Sequence, residues 1–420
     1  MSKSYNKKTL LSSPNVKIFN NLFDKSLSLA PYLPLSFIKF ISFISTSLLK
    51  SESIILSDLA SIIAPLKNIS LHSAEKYITR SLNNLDYDFH HFYFKFVESL
   101  MSSFKIKHDD HKVIISLDHM YVEDHFTILM FTLRLGKSGI PLWFQEFDYH
   151  DRDAYVFPIF KDAIKTCHDL VKLNNPDAKI KFLADRCFGN HIKILDYINI
   201  LGDTYDFRAK NSLLTLIMDK KEHHKIWKNL KELDSYVYKS KFYPHSIITR
   251  NYRFETNIVI SPSFNHKEPL YLLTNDDMDN AVKDYMKRFS GIEFTFKNQK
   301  TNGHFLEETQ IDDLYAFSNL YACLCFAQTL LTILEIDYSK NSNCYKKIKI
   351  KTTKKVKGKR IRIYSYFHVG LLIIKFVMNS IHYEYQLFKR MVNFYWAQFL
   401  ISKHLLFIRF HLGLSKSVRT

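Results

Sequence analysis

A chain of 420 residues, 46% hydrophobic and 15% aromatic, can bury a large core spread over two or three domains. Its formal net charge of +18 points to a polyanion, and because the cations are spread along the chain, nucleic acid fits better than a membrane, although an AT-rich genome also inflates lysine. Cys167, Cys187, Cys323, Cys325 and Cys344 form no Cys-x-x-Cys pair, which argues against a zinc ribbon or disulfide framework and suits a reducing cytosol.

In chain order, the start is polar and basic up to Pro14, without the apolar core of a signal peptide. The greasy stretch from Ser26 to Leu49 is broken by Pro31, Pro34 and Lys39 and falls short of a spanning helix. A soluble, cytoplasmic protein is expected. Residues 1–105 read as a helical domain. Ile54 to Ile63 has helical periodicity and stops at Pro65. After a short link, a helix through His72–Leu82 takes Ser73 as N-cap and sets Lys76, Thr79, Arg80 and Asn83 on one face. Two helices across a tight turn, the second basic, suit a helix-turn-helix reading DNA through Lys76 and Arg80. An ordinary helical hairpin with a solvated face has the same pattern.

From about residue 111 the texture changes to strands. His111 to Leu117, Phe126 to Leu135 and Ile140 to Tyr149 form a meander, with Gly136-Lys137-Ser138-Gly139 as a turn. A helix follows between Ala154 and Leu173, then a strand over Ala178–Ala184, a helix from His191 to Ile200 and a strand near Tyr205–Ala209. This order predicts an α/β fold with a ribonuclease H-like core, residues 106–212 and 269–312, whose first and fourth strands are parallel neighbours. Residues 213–268 read as a β-rich insertion. Leu270–Thr274 rejoins the core, and Asp276 or Asp277 caps a helix through Tyr285. Residues 313–420 form a helical C-terminal region with a basic loop from Lys346 to Arg360, suited to phosphate contacts.

Asp118 closes the run Val113–Leu117, and Asp185 closes the run Ile180–Ala184. Adjacent parallel strands would bring the two together. Glu293 lies in a helix-like stretch among Arg288, Lys297 and Lys300, with Glu293, Phe296, Lys297 and Lys300 on one face. Three carboxylates can hold two Mg²⁺ ions, with Mn²⁺ able to substitute, against a phosphodiester. The cations would neutralise phosphate charge. The simpler readings are a helix cap for each aspartate and a surface Glu293–Lys297 pair. His119 reads as a packed strand residue. No His-Glu-x-x-His motif supports a zinc hydrolase, and Gly136-Lys137-Ser138-Gly139 lacks the upstream glycine of a phosphate loop.

The segment Tyr285-Met286-Lys287-Arg288 through Glu293 to Lys300 resembles the Tyr-Arg-Glu-Lys signature of bacterial insertion-sequence transposases of the DDE class, the insertion-sequence-four group. Leu183-Ala184-Asp185-Arg186-Cys187-Phe188 is similar to that family's second-aspartate motif, and Arg362 to Gly370 to its C-terminal segment. The resemblance implies catalytic Asp118, Asp185 and Glu293, with Tyr285, Arg288 and Lys300 gripping phosphates near the cut. It implies Mg²⁺-dependent cleavage at the element's inverted terminal repeats, then attack of the freed 3′-hydroxyl on target DNA, in a bacterial nucleoid. The expected partners are these double-stranded DNAs and, on the ends, a second copy of the chain. Three departures stand: His119 follows Asp118 in place of a small residue, Cys187 replaces a glycine, and four residues rather than three separate Arg288 from Glu293. A non-catalytic DNA-binding descendant and a nuclease without strand transfer are the alternatives.

Overall fold

The computed structural model describes residues 14–103, 112–135, 138–149, 151–173, 175–218, 225–233, 239–262, 268–301, 303–340, 350, 353–356, 359–362 and 366–379. Gly136 and Lys137 of the expected turn and about half of the basic run from Lys346 lie outside them.

The chain groups into two units, Met1–Lys105 with Phe296–Thr420, and Ile106–Thr295. Five helices open the first unit: α1 (Pro14–Leu29), α2 (Leu35–Ser51), α3 (Leu56–Lys67), α4 (Leu71–Leu82) and α5 (Phe89–Ser103). Pro31 and Pro34 fall in the α1–α2 link, since proline cannot supply an interior helical N–H. Helix α3 continues past Pro65 to Lys67 rather than stopping there, and Asn68 ends it in a left-handed conformation (φ 54°). The N-cap of α4 is Ser70, which accepts from the Ser73 N–H at 3.2 Å, so Ser73 is helical and not the cap. Ala74, Ile78, Ser81 and Leu82 are buried, whereas Lys76, Thr79, Arg80 and Asn83 are exposed.

The second unit is built on a sheet of ten strands ordered β3-β2-β1-β4-β5-β10-β9-β8-β6-β7. Strands β1 (Val113–Val122), β2 (Phe126–Leu135) and β3 (Ser138–Asp148) form the expected antiparallel meander. Helix α6 (Phe157–Lys172) leads to β4 (Ile180–Ala184), which pairs in parallel with β1; α7 (Ile192–Ile200) leads to β5 (Thr204–Arg208), parallel to β4. Strands β1 and β4 are almost wholly buried, as central strands covered on both faces must be. Strands β6 (Leu214–Met218), β7 (Lys225–Asn229), β8 (Lys241–Ile248) and β9 (Phe254–Ser261) lie within residues 213–268. They extend the same sheet rather than forming a separate one, because β9 pairs with β10 (Leu270–Thr274), and β10 with β5. A short helix, α8 (Leu230–Leu233), follows β7.

Helix α9 (Met278–Tyr285) is capped by Asp277, which accepts from Asn280 N–H at 2.8 Å. Its Ala281 and Tyr285 pack with Val259 and Leu272 of the sheet in one apolar cluster. A three-ten turn, Arg288–Ser290, and helix α10 (Ile292–Lys300) follow, separated by Gly291, whose backbone (φ −105°, ψ −91°) is not helical. Arg288 is therefore not in the same helix as Glu293, contrary to the expectation of one continuous stretch.

The chain then completes the first unit. Helix α11 (Leu314–Lys340) packs with α2, α4 and α5, which is why the N- and C-terminal helices form one body rather than two domains. Phe326 meets the rings of Phe92 (5.3 Å) and Phe96 (4.7 Å), and buried Asn319 donates to the Leu82 carbonyl at 2.7 Å. Part of the basic run, expected to be a loop, pairs as a two-stranded ribbon, β11 (Thr353–Val356) with β12 (Lys359–Arg362). Helix α12 (Tyr366–Asn379) lies against α11. Among the described residues one single helix, Leu314–Ile336, is long and apolar enough to cross a membrane, and most of it is buried. Cys323 and Cys325, on that helix, are buried packing residues.

Candidate active site

Antiparallel pairing carries β1 on to Val122, whereas its parallel ladder with β4 ends at Leu117–Ala184. Asp118 is thus not at the end of its own strand, as expected, but at the point where its parallel neighbour stops. Asp185 is the residue after β4, so the two carboxylates leave adjacent strands at the same level and on the same face. The His119 N–H fixes Asp118 by donating to Oδ1 at 2.9 Å. His119 itself is packed: its ring stacks on Phe188 at 5.0 Å and 7°, and Nε2 lies 3.0 Å from the Ala154 carbonyl.

The segment after α9 closes over these ends. Tyr285 donates its hydroxyl to Oδ1 of Asp185 at 3.4 Å. Arg288, only 3% exposed, donates through Nη1 to Oε1 of Glu293 at 2.9 Å and through Nη2 to Oδ2 of Asp118. Arg134 of β2 steadies the turn by donating to Ser290 Oγ at 3.0 Å. At the far side, Arg208 closes β5 with Nη1 3.8 Å from Asp185 Oδ1. Gly189 lets the backbone after Asp185 approach that strand, since a Cβ there would sit 2.1 Å from the Arg208 carbonyl oxygen.

Asp118, Asp185 and Glu293 therefore converge in one cluster with Arg288, Arg208 and Tyr285. Burial pushes the Asp118 carboxyl up to about 6; Arg288 opposes this, and Asp185 and Glu293 reinforce it. Burial also raises Glu293 against the pull of Arg288, and it raises the Tyr285 phenol, which stays a hydrogen-bond donor. Three acids against two guanidinium groups leave a surplus of negative charge on hard oxygen donors, a set whose chemistry suits a divalent cation such as Mg²⁺. Among the described residues no three acidic, His or Cys side chains are grouped as ligands of one ion. Arg288 holds an oxygen of Asp118 and of Glu293, and a cation on those atoms would displace it.

The remaining predicted residues, Lys297, Lys300, Lys76 and Arg80, all fall in the first unit. Lys297 is exposed, and Lys300 is tied to Glu307 at 2.6 Å, so Lys300 is not a free cation. Arg208 escapes sequence reasoning because a lone arginine ending a short strand carries no local signal. Compared with known proteins, the chain matches no family model and no curated sequence.

Proposed function

We propose that this chain is a transposase that cuts DNA at the ends of its own insertion sequence and joins the 3′-hydroxyl ends to target DNA. The observation that carries the reading is the meeting of Asp118, Asp185 and Glu293 around one buried guanidinium, from three elements far apart in sequence. The strand order β3-β2-β1-β4-β5, three antiparallel strands followed by two parallel ones, supports a ribonuclease H-like core within the larger sheet. The exposed basic face of α4 supports DNA-end recognition by Lys76 and Arg80, and the Lys/Arg-rich ribbon β11–β12 supports backbone contacts.

On this reading Asp118, Asp185 and Glu293 would hold Mg²⁺, or Mn²⁺ in its place, and the bound ions would supply Lewis-acid stabilisation of the phosphoryl oxygens and an activated nucleophile. Arg288 and Arg208 offset charge that builds on the phosphate. Tyr285 orients the Asp185 carboxylate through its hydroxyl. A second copy of the chain on paired ends and a place in the bacterial nucleoid belong to the same proposal.

A DNA-binding protein without chemistry is the second reading, favoured by the way Arg288 satisfies two of the acids by itself. The test is cleavage of DNA carrying the element's inverted ends in Mg²⁺ or Mn²⁺. Wild-type protein should cut, and Asp185→Asn should lose at least about 100-fold in rate with DNA affinity unchanged. Full cutting by the variant would remove the active-site assignment, and binding without cutting by the wild type would favour the second reading.

A further inference from the structure

Lys181 sits on β4, four positions before Asp185, with its side chain fully buried. Alternation along a strand puts both on the face that α9 covers. An unpaired ammonium there would be costly, and three carboxylates surround it: Asp206 of β5 at 2.8 Å, Asp276 at 2.7 Å and Asp284 of α9 at 3.2 Å. Lys112 reaches Asp276 and lies 3.7 Å from Asp284, and Lys287 lies 2.5 Å from Asp284. Three cations thus balance three anions. Thr274 donates to Asp206 at 2.7 Å and accepts from the Asp276 N–H at 3.0 Å, which locks the entry to the helix.

The network grips α9 at both ends. Asp276 precedes the capping Asp277, and Asp284 precedes Tyr285, which reaches Asp185; one turn further on, Arg288 reaches Asp118 and Glu293. The geometry points to Lys181 as a positioning residue that fixes α9, and through it Tyr285, Arg288 and Glu293, against the strand ends bearing Asp118 and Asp185. Only the kinetic consequence of that role rests on the proposed cleavage activity. Burial works against the Lys181 ammonium, but Asp206 and Asp276 outweigh it and hold the group charged. Asp276 and Asp284 are held below the ordinary carboxylate range despite burial, by Lys112 and Lys181 at the first and by Lys287 and Lys181 at the second.

Buried ion pairs are often replaceable without loss of stability, so placement and stability can be separated. The full-length Lys181→Met/Asp206→Asn variant removes the innermost pair and keeps charge balance. Its melting temperature should stay within a few degrees of wild type, while amide exchange of residues 278–295 speeds up at least 10-fold. Cutting at saturating DNA should slow at least 10-fold with unchanged DNA affinity, and Lys181→Arg should recover part of both. Unchanged exchange in the double variant would overturn the inference, as would faster exchange with wild-type cutting. Failure of the wild type to cut at all would count against the proposed activity, and the exchange measurement would still decide the role of Lys181.

Discussion

The guanidinium of Arg288 donates to the carboxylate of Asp118, although 170 positions separate the two residues. This bond joins the segment carrying Glu293 to strand β1 of the sheet. It also makes Arg288 a competitor of any cation for the same oxygens. Arg288→Gln should destabilise the protein by about 3 kcal/mol in chelator, because it leaves a buried carboxylate without its partner. Mn²⁺ should then raise the melting temperature of the variant more than that of the wild type. Thermal unfolding with and without Mn²⁺ measures both effects, and an equal Mn²⁺ shift in the two proteins would contradict the competition.

Exposure of Lys76 and Arg80 on α4 gives a prediction about binding alone. Reversing both charges (Lys76→Glu, Arg80→Glu) should weaken binding to the element's ends at least 10-fold. The slope of affinity against salt should fall by about 1 for each phosphate that is no longer neutralised. Fold and melting temperature should not change, since neither side chain is buried. Titration of labelled ends at several salt concentrations reads this directly; an unchanged affinity would remove α4 from the interface.

His304 predicts a dependence of stability on pH. Its ring is fully buried against Phe367, neither ring nitrogen has a hydrogen-bond partner, and burial holds it down to about 3 from an ordinary value of 6.5. The folded state therefore excludes a proton that the unfolded chain binds below pH 6.5. The stabilisation is complete above that value and should be lost by about 1.4 kcal/mol per pH unit as pH falls toward 3. Urea unfolding at pH 7.5 and 5.5 should show the loss in wild type and a smaller one in His304→Phe.

Gly189 is required by its neighbour rather than by its own backbone angle. Gly189→Ala would drive a methyl group into the Arg208 carbonyl, so β5 must shift. A cost of about 3 kcal/mol is expected, together with slower cutting as Arg208 moves away from Asp185. Chemical denaturation checks the first and a cleavage time course the second.

Much of the α/β unit is legible in the residues. The apolar runs of β1 and β4, each leading to an aspartate, point to the parallel pair, and the meander of β1, β2 and β3 follows from alternation and turn residues. Three features are not legible, for physical reasons. Lys181 stands in an apolar run with no local sign of its role, because the acids that balance it come from the neighbouring strand β5, a loop and a helix remote in sequence. Residues 213–268 read as a separate insertion, since nothing local reveals that β9 pairs with β10. Arg288 and Glu293 read as sharing a helix because the identity of Gly291 does not disclose its angles. Helix ends are set by packing as well as by sequence: α3 keeps Pro65 in its last turn, although proline supplies no N–H to the carbonyl one turn earlier.

The interruption at Gly291 has a consequence for how this segment can change. Two groups on one rigid rod are locked to a fixed number of intervening positions, because each added position rotates the second by about 100°. Here a swivel lies between the guanidinium and the glutamate, so their mutual aim is set by what each grips. With four residues between them, Arg288 still reaches both Glu293 and Asp118.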